Sequence, residues 1–234
     1  DNGYTWSYSM ELDPRSGDSG DAANDDSQLS LTMGELGTIK ACVSECGNNK
    51  KYKWDQSAYT TMTDTAQSSG IVYPSDSGAA NMATLQYHTP ELPFSTTASF
   101  AYASNSADGS SGNAQGGTSG DSLEEYSINT TPVDGLNIQA QYYKKNDYAD
   151  GVTTENQLEE GGAYAVTYAA GNVTVGYGRS MKAPEGSSIA TGATTVEYYE
   201  NTGMSIGYAV NDDLSVSFTR EESEANYQTS ATVS

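Results

Sequence analysis

From Tyr4 to Leu12 every second residue is large and apolar: Tyr4, Trp6, Tyr8, Met10 and Leu12 alternate with Thr5, Ser7, Ser9 and Glu11. A period of two places alternate side chains on opposite faces of a β-strand. The pattern returns along the whole chain. It is seen in Leu29, Leu31 and Met33, in Ile39, Ala41 and Val43, and in Ala83, Leu85 and Tyr87. It continues in Phe94, Ala98, Phe100 and Tyr102, then Leu136 to Tyr142, Tyr164 to Tyr168, Val173 to Tyr177, Met204 to Val210, and Leu214 to Phe218. About twelve strands are expected. On each of them one face is oily and the other is Ser, Thr, Gln, Asn and Gly.

The connections alternate in length. Turns near 34–37, 89–93, 132–135, 170–172 and 211–213 are short, whereas 13–26, 44–80, 104–122, 147–160 and 183–195 are long and polar. A soluble sandwich needs no such alternation. An up-and-down barrel in an outer membrane does: short turns on one side, long loops on the other, the oily face against lipid and the polar face around water. The polar residues are too small and hydrophilic to fill a dry core, and a barrel of this strand number has a wet lumen. The expected fold is therefore all-β: a transmembrane antiparallel up-and-down β-barrel forming a single domain over 1–234.

Composition narrows the function. The 234 residues include 10 basic and 31 acidic side chains, a net charge of −21, with 18 Tyr and only 3 Phe. Phosphate neutralisation needs clustered Lys and Arg, so nucleic acid is not an expected partner. No apolar run is long enough for a membrane helix, which leaves strands as the only means of crossing. Cys42 and Cys46 have three residues between them and are read either as a local disulfide or as two free thiols. His88 is the only histidine and there is no second cysteine pair, which argues against zinc. The acidic stretch Asp18–Asp26 has the ligand type for Ca²⁺ or Mg²⁺, although a solvated loop is the commoner outcome; no other cofactor is expected. No nucleophile motif, phosphate loop or metal cluster supports catalysis, so an enzyme is not expected.

The order of short motifs resembles that of the Gram-negative general porins. Gln86-Tyr87-His88-Thr89-Pro90-Glu91-Leu92, with the tyrosine-bearing strand after it, resembles one of their hairpins. Met33-Gly34-Glu35-Leu36-Gly37-Thr38-Ile39 resembles their strand–turn–strand, and Asp1-Asn2-Gly3 resembles the end of their first hairpin. The resemblance implies a homotrimer of sixteen-stranded barrels in the bacterial outer membrane, among lipid and lipopolysaccharide, passing small hydrophilic solutes. It also implies that residues 44–80 are the constriction loop. The chain departs from the family in ending on Thr232-Val233-Ser234 rather than on an aromatic strand, and its loop lacks a Pro-Glu-Phe-Gly type tip; a barrel truncated at both ends is expected.

Parity selects the candidate pore residues. Glu11, Lys40, Glu125, Lys145, Glu197 and Glu221 fall on the polar face, where charge biases ion passage. The 44–80 segment adds Lys50, Lys51 and Lys53 against Glu45, Asp55, Asp64 and Asp76, read either as a basic patch at the eyelet or as an exposed loop tip. Arg179 and Arg220 fall on the oily parity. They are expected at the outer ends of their strands, at headgroup level, because mid-membrane arginine on a lipid face costs about 2–4 kcal/mol. His88 is expected to be a plain rim residue. The other reading of the composition is a surface or structural β-protein, an adhesin or surface-layer subunit, without a pore.

Overall fold

The computed structural model describes residues 3–10, 27–42, 84–103, 122–145, 155–158, 160–183, 186–187 and 196–227. These residues form thirteen strands and, among them, no α-helix. The strands are β1 (Thr5–Met10), β2 (Ser27–Thr32), β3 (Thr38–Cys42), β4 (Thr84–His88), β5 (Thr97–Ala103), β6 (Leu123–Val133) and β7 (Leu136–Lys145), then β8 (Glu155–Gln157), β9 (Glu160–Ala170), β10 (Val173–Ala183), β11 (Gly186–Ser187), β12 (Val196–Asn211) and β13 (Leu214–Tyr227).

Eleven strands form one sheet in the order β1-β2-β3-β4-β5-β6-β7-β9-β10-β12-β13. Every pairing is antiparallel, so the sheet is a plain up-and-down meander. All five short turns consequently leave from one end of the strands and all five long connections from the other. The sheet is not closed: β1 and β13 are its edges.

The short turns are built by local chemistry. Between β2 and β3, Gly34–Leu36 is a single 3₁₀ turn ended by Gly37 at φ +84°. A Cβ at Gly37 would collide with the His88 carbonyl, so this turn requires glycine on both conformational and steric grounds. The Tyr87 hydroxyl donates to the Leu36 carbonyl at 3.0 Å and ties the turn to β4. Gly135, at φ +77°, closes β6 to β7 and lies equally tight against the Ala169 carbonyl.

Three expectations need correction. The strand after Pro93 does not begin at Phe94. Phe94 and Ser95 have φ of +64° and +46°, Leu92 and Thr96 form an isolated bridge, and β5 starts at Thr97. The turn is longer because neither Pro90 nor Pro93 can donate to a ladder, so pairing resumes only where Ala98 N–H finds Thr89 Oγ1 at 2.9 Å. Second, the connections 147–160 and 183–195 are not wholly irregular. β8 and β11 pair across them as a separate two-stranded sheet. Third, Arg179 and Arg220 are not at strand ends: β10 runs on to Ala183 and β13 to Tyr227. The strands extend beyond the oily band as hydrogen-bonded ribbon, where neither face has a hydropathy signature.

Candidate functional site: the two faces of the sheet

Cross-strand partners share a face, so the register assigns every side chain on the sheet. One face carries Trp6, Tyr8, Leu29, Ile39, Leu85, Phe100, Tyr126, Ile128, Tyr164, Tyr168, Val175, Met204, Ile206, Tyr208, Val216 and Phe218, all exposed, from 37% for Phe100 to 66% for Phe218. The opposite face holds most of the buried groups: Ser30, Thr84, Gln86, Glu125, Ser180, Asn201 and Ser205 among polar residues, and Ala101, Ala103, Leu123, Tyr143, Ala163 and Ala165 among apolar ones. A water-soluble sheet buries its large apolar side chains and wets its hydroxyls and amides. Here the assignment is inverted.

The polar face is hydrogen-bonded within itself. His88 Nε2 and Gln86 Oε1 are 2.9 Å apart, and Gln86 Nε2 donates to Thr84 Oγ1 at 2.9 Å, so three side chains link along β4. Asn201 Nδ2 donates to Ser180 Oγ at 3.0 Å between β12 and β10. Asn137 Nδ2 donates to Asn129 Oδ1 at 3.1 Å between β7 and β6. Hydroxyls and amides held this way keep a polar surface ordered without apolar packing.

The oily face ends toward the long connections in a charged edge. Lys144 Nζ is 3.6 Å from Glu124 Oε2, Arg179 pairs with Glu200, and Arg220 pairs with Glu222. Tyrosines lie beside this edge: the Tyr126 hydroxyl donates to Glu124 at 2.7 Å and the Tyr142 hydroxyl to Glu160 at 2.6 Å. Their rings continue an aromatic row, with centroids 5.2 Å apart for Phe100–Tyr126 and 6.3 Å for Tyr126–Tyr142.

This edge is oblique to the ladder. Counting ladder rows on the oily face, Glu124, Lys144 and Glu160 occupy one row on β6, β7 and β9. The second row ends in Glu200 and Glu224, the third holds Arg179 and Glu222, and the fourth, three row steps from the first, holds Arg220. Three rows of two residues at ~3.4 Å make a drop of ~20 Å, and the five inter-strand steps from β6 to β13 at ~4.8 Å make ~24 Å across. The charged edge therefore crosses the strands at about 40° from the ladder direction, within the strand tilt of ~35–45° found in membrane barrels. A boundary level with a flat interface would cut tilted strands along this line.

The candidate pore residues fall as follows. Lys40 is on the polar face of β3, half-buried, opposite Gln86. Glu125 is on the polar face of β6, fully buried, opposite Ala101 and Tyr143. Lys145 and Glu221 are on the same face, half-buried, opposite Leu123 and Gly203. Lys40 and Glu125 share a single ladder row, running Lys40, Gln86, Ala101, Glu125. Lys182, which parity reasoning passed over, continues that row through Tyr143 and Gly161. Glu197 lies in the register shift between Val196 and Tyr198 and is exposed, so strand parity does not assign it to the polar face. Glu11, Glu45, Lys50, Lys51, Lys53, Asp55 and Cys46, the whole 44–80 segment and the Asp18–Asp26 stretch lie outside the described residues. Cys42 carries a buried free thiol whose Sγ is 3.8 Å from Gln28 Oε1. Among the described residues no group of three His, Cys, Asp or Glu side chains is placed to hold a metal ion.

No protein-family model matches the chain, and no curated protein matches it.

Proposed function

We propose that the chain is a bacterial outer-membrane porin, a passive diffusion channel for small hydrophilic solutes and ions. One observation carries the reading: a single-layer meander exposes the large side chains of its apolar face, holds most of its buried groups on its polar face, and borders the apolar face with an oblique charged and tyrosine-bearing edge. Ten residues separate Glu124 from Asp134 along β6, and ten separate Thr202 from Asp212 on the β12 side. A tilted strand needs ~9–11 residues to cross the hydrocarbon core.

In this reading the sheet closes into a barrel of the sixteen-stranded porin plan, because unpaired edges such as those of β1 and β13 are not tolerated in lipid. The residues on the polar face, Lys40, Glu125, Lys145, Lys182 and Glu221, supply the wall field, and the 44–80 segment is the constriction. Passage involves no chemical step and no cofactor. The porin resemblance supplies the homotrimer and the lipopolysaccharide-bearing surroundings. A surface β-protein without a pore would have to cover the exposed apolar face with a second layer. Planar-bilayer recording of the purified protein tests the proposal: stepwise conductance is expected, and detergent-dependent protein that never opens discrete channels overturns it.

A further inference from the structure

Beside His88, on the polar face of β4 to β7, lies a cavity of about 150 Å³. Its polar lining includes His88, Ser99, Ser127, Asn129, Gln139 and Gln141, and no Asp, Glu, Lys or Arg side chain lines it. These residues occupy two adjacent ladder rows: Ser99, Ser127 and Gln141 in one, Asn129 and Gln139 in the next. The six side chains are all half-buried, so the site is a recess in the wall rather than a sealed void.

The hydrogen-bond inventory leaves a specific vacancy. Asn129 Oδ1 accepts from Asn137 Nδ2, and the Asn129 amide nitrogen is a donor. Gln139 Oε1 is shielded from solvent and has no hydrogen-bond partner, so it is an unsatisfied acceptor. Asn129 and Gln139 are direct cross-strand partners, which places their side chains side by side. A donor and an acceptor on neighbouring side chains match two adjacent hydroxyls, one accepting from Asn129 and the other donating to Gln139 after a rotation of its amide. The Ser99 and Ser127 hydroxyls, 2.5 Å apart and hydrogen-bonded to each other, border the same recess. A lining with no formal charge gives no net attraction to an ion and leaves hydrogen bonding as the source of selectivity.

The geometry points to a binding subsite for an uncharged vicinal polyol, a neutral monosaccharide unit, on the wall at Asn129 and Gln139. This rests on the reading of the polar face as a pore wall. The Asn129–Gln139 pair lies two ladder rows from Glu125 on the same face. Binding is weak and rapidly reversible, as transit requires.

The test uses glucose as probe. Saturation-transfer NMR on the detergent-solubilised protein detects the sugar directly, and bilayer recording reads its effect on current. Glucose is expected to give a saturable NMR signal and added current noise. Asn129→Ala with Gln139→Ala should weaken both at least tenfold, while Ser217→Ala on the polar face of β13 leaves them unchanged. A polyethylene glycol of similar mass, which lacks vicinal hydroxyls, should give neither. If the variant does not fold, urea and gluconate in place of glucose keep the question open to refutation: equal binding of the amide or the anion overturns polyol recognition. Stepwise channels that ignore glucose overturn the subsite and leave the porin reading intact. A glucose signal without channels overturns the porin reading alone.

Discussion

Glu124 on β6 and Arg220 on β13 mark the same charged edge of the oily face although they are three ladder-row steps apart. If the sheet stood upright in a flat interface these two residues would be at different depths. Tilting the strands by about 40° brings them level. In the proposed porin, depth is therefore set by oblique lines across the sheet and not by ladder rows.

Ile128 and Thr202 test that geometry, because they occupy one ladder row, through Ala140, Tyr164 and Arg179, yet lie four strand steps apart. In the proposed porin the tilted band would put Ile128 in hydrocarbon and Thr202 at the interface. Ile128→Arg should cost about 2–4 kcal/mol and Thr202→Arg about 0–1 kcal/mol in urea-driven folding into phospholipid vesicles. Equal costs would remove the tilt from the account.

Ile206 separates membrane from water more bluntly. It is 47% exposed on β12, where a lysine in a water-soluble sheet would be tolerated within about 0.5 kcal/mol. In lipid, Ile206→Lys should instead lose about 2–4 kcal/mol and the heat-modifiable gel band. A variant as stable as the parent would place this face in water.

The turn at Gly37 predicts a graded backbone effect. Gly37 and Gly171 both have positive φ, but a Cβ at Gly37 meets the His88 carbonyl and one at Gly171 meets nothing within 4 Å. Gly171→Ala should cost about 1–2 kcal/mol from the left-handed conformation alone. Gly37→Ala should cost more, measured by the urea midpoint of the folded band. The reverse order would contradict the turn geometry.

Tyr87→Phe removes the hydroxyl that donates to the Leu36 carbonyl and leaves the ring in place. A loss of about 0.5–1.5 kcal/mol is expected. Conductance should not change, because Tyr87 is on the oily face. An altered conductance with unchanged stability would reverse the assignment of faces at β4.

Much of this was legible in the sequence where one face met an unlike medium. The alternation in Tyr4–Met10 or Val173–Tyr177 fixes parity, and parity put Arg179 and Lys40 on opposite faces before any register was known. Legibility ended where that contrast ended. Beyond Arg220, the run Glu221, Glu222, Ser223, Glu224 is polar on both faces, so the continuation of β13 has no periodic signal. β8 and β11, of three and two residues, are too short to show a period. Positive φ at Phe94 and Ser95 is set by the two prolines and the Leu92–Thr96 bridge, and nothing in those residue types announces it. The pairing of Asn129 with Gln139 depends on the register shift between Thr130 and Val133, which shorter-range patterns do not encode.

The central claim is that the face bearing Ile206 meets lipid and the face bearing Ser205 meets water. Nitroxide labels on Ile206→Cys and Ser205→Cys, each with Cys42 and Cys46 replaced by serine, read this directly in reconstituted vesicles. The account predicts that oxygen, concentrated in lipid, relaxes the label at 206 more strongly than a water-soluble nickel chelate does, and that the chelate dominates at 205. Chelate dominance at 206 would contradict it.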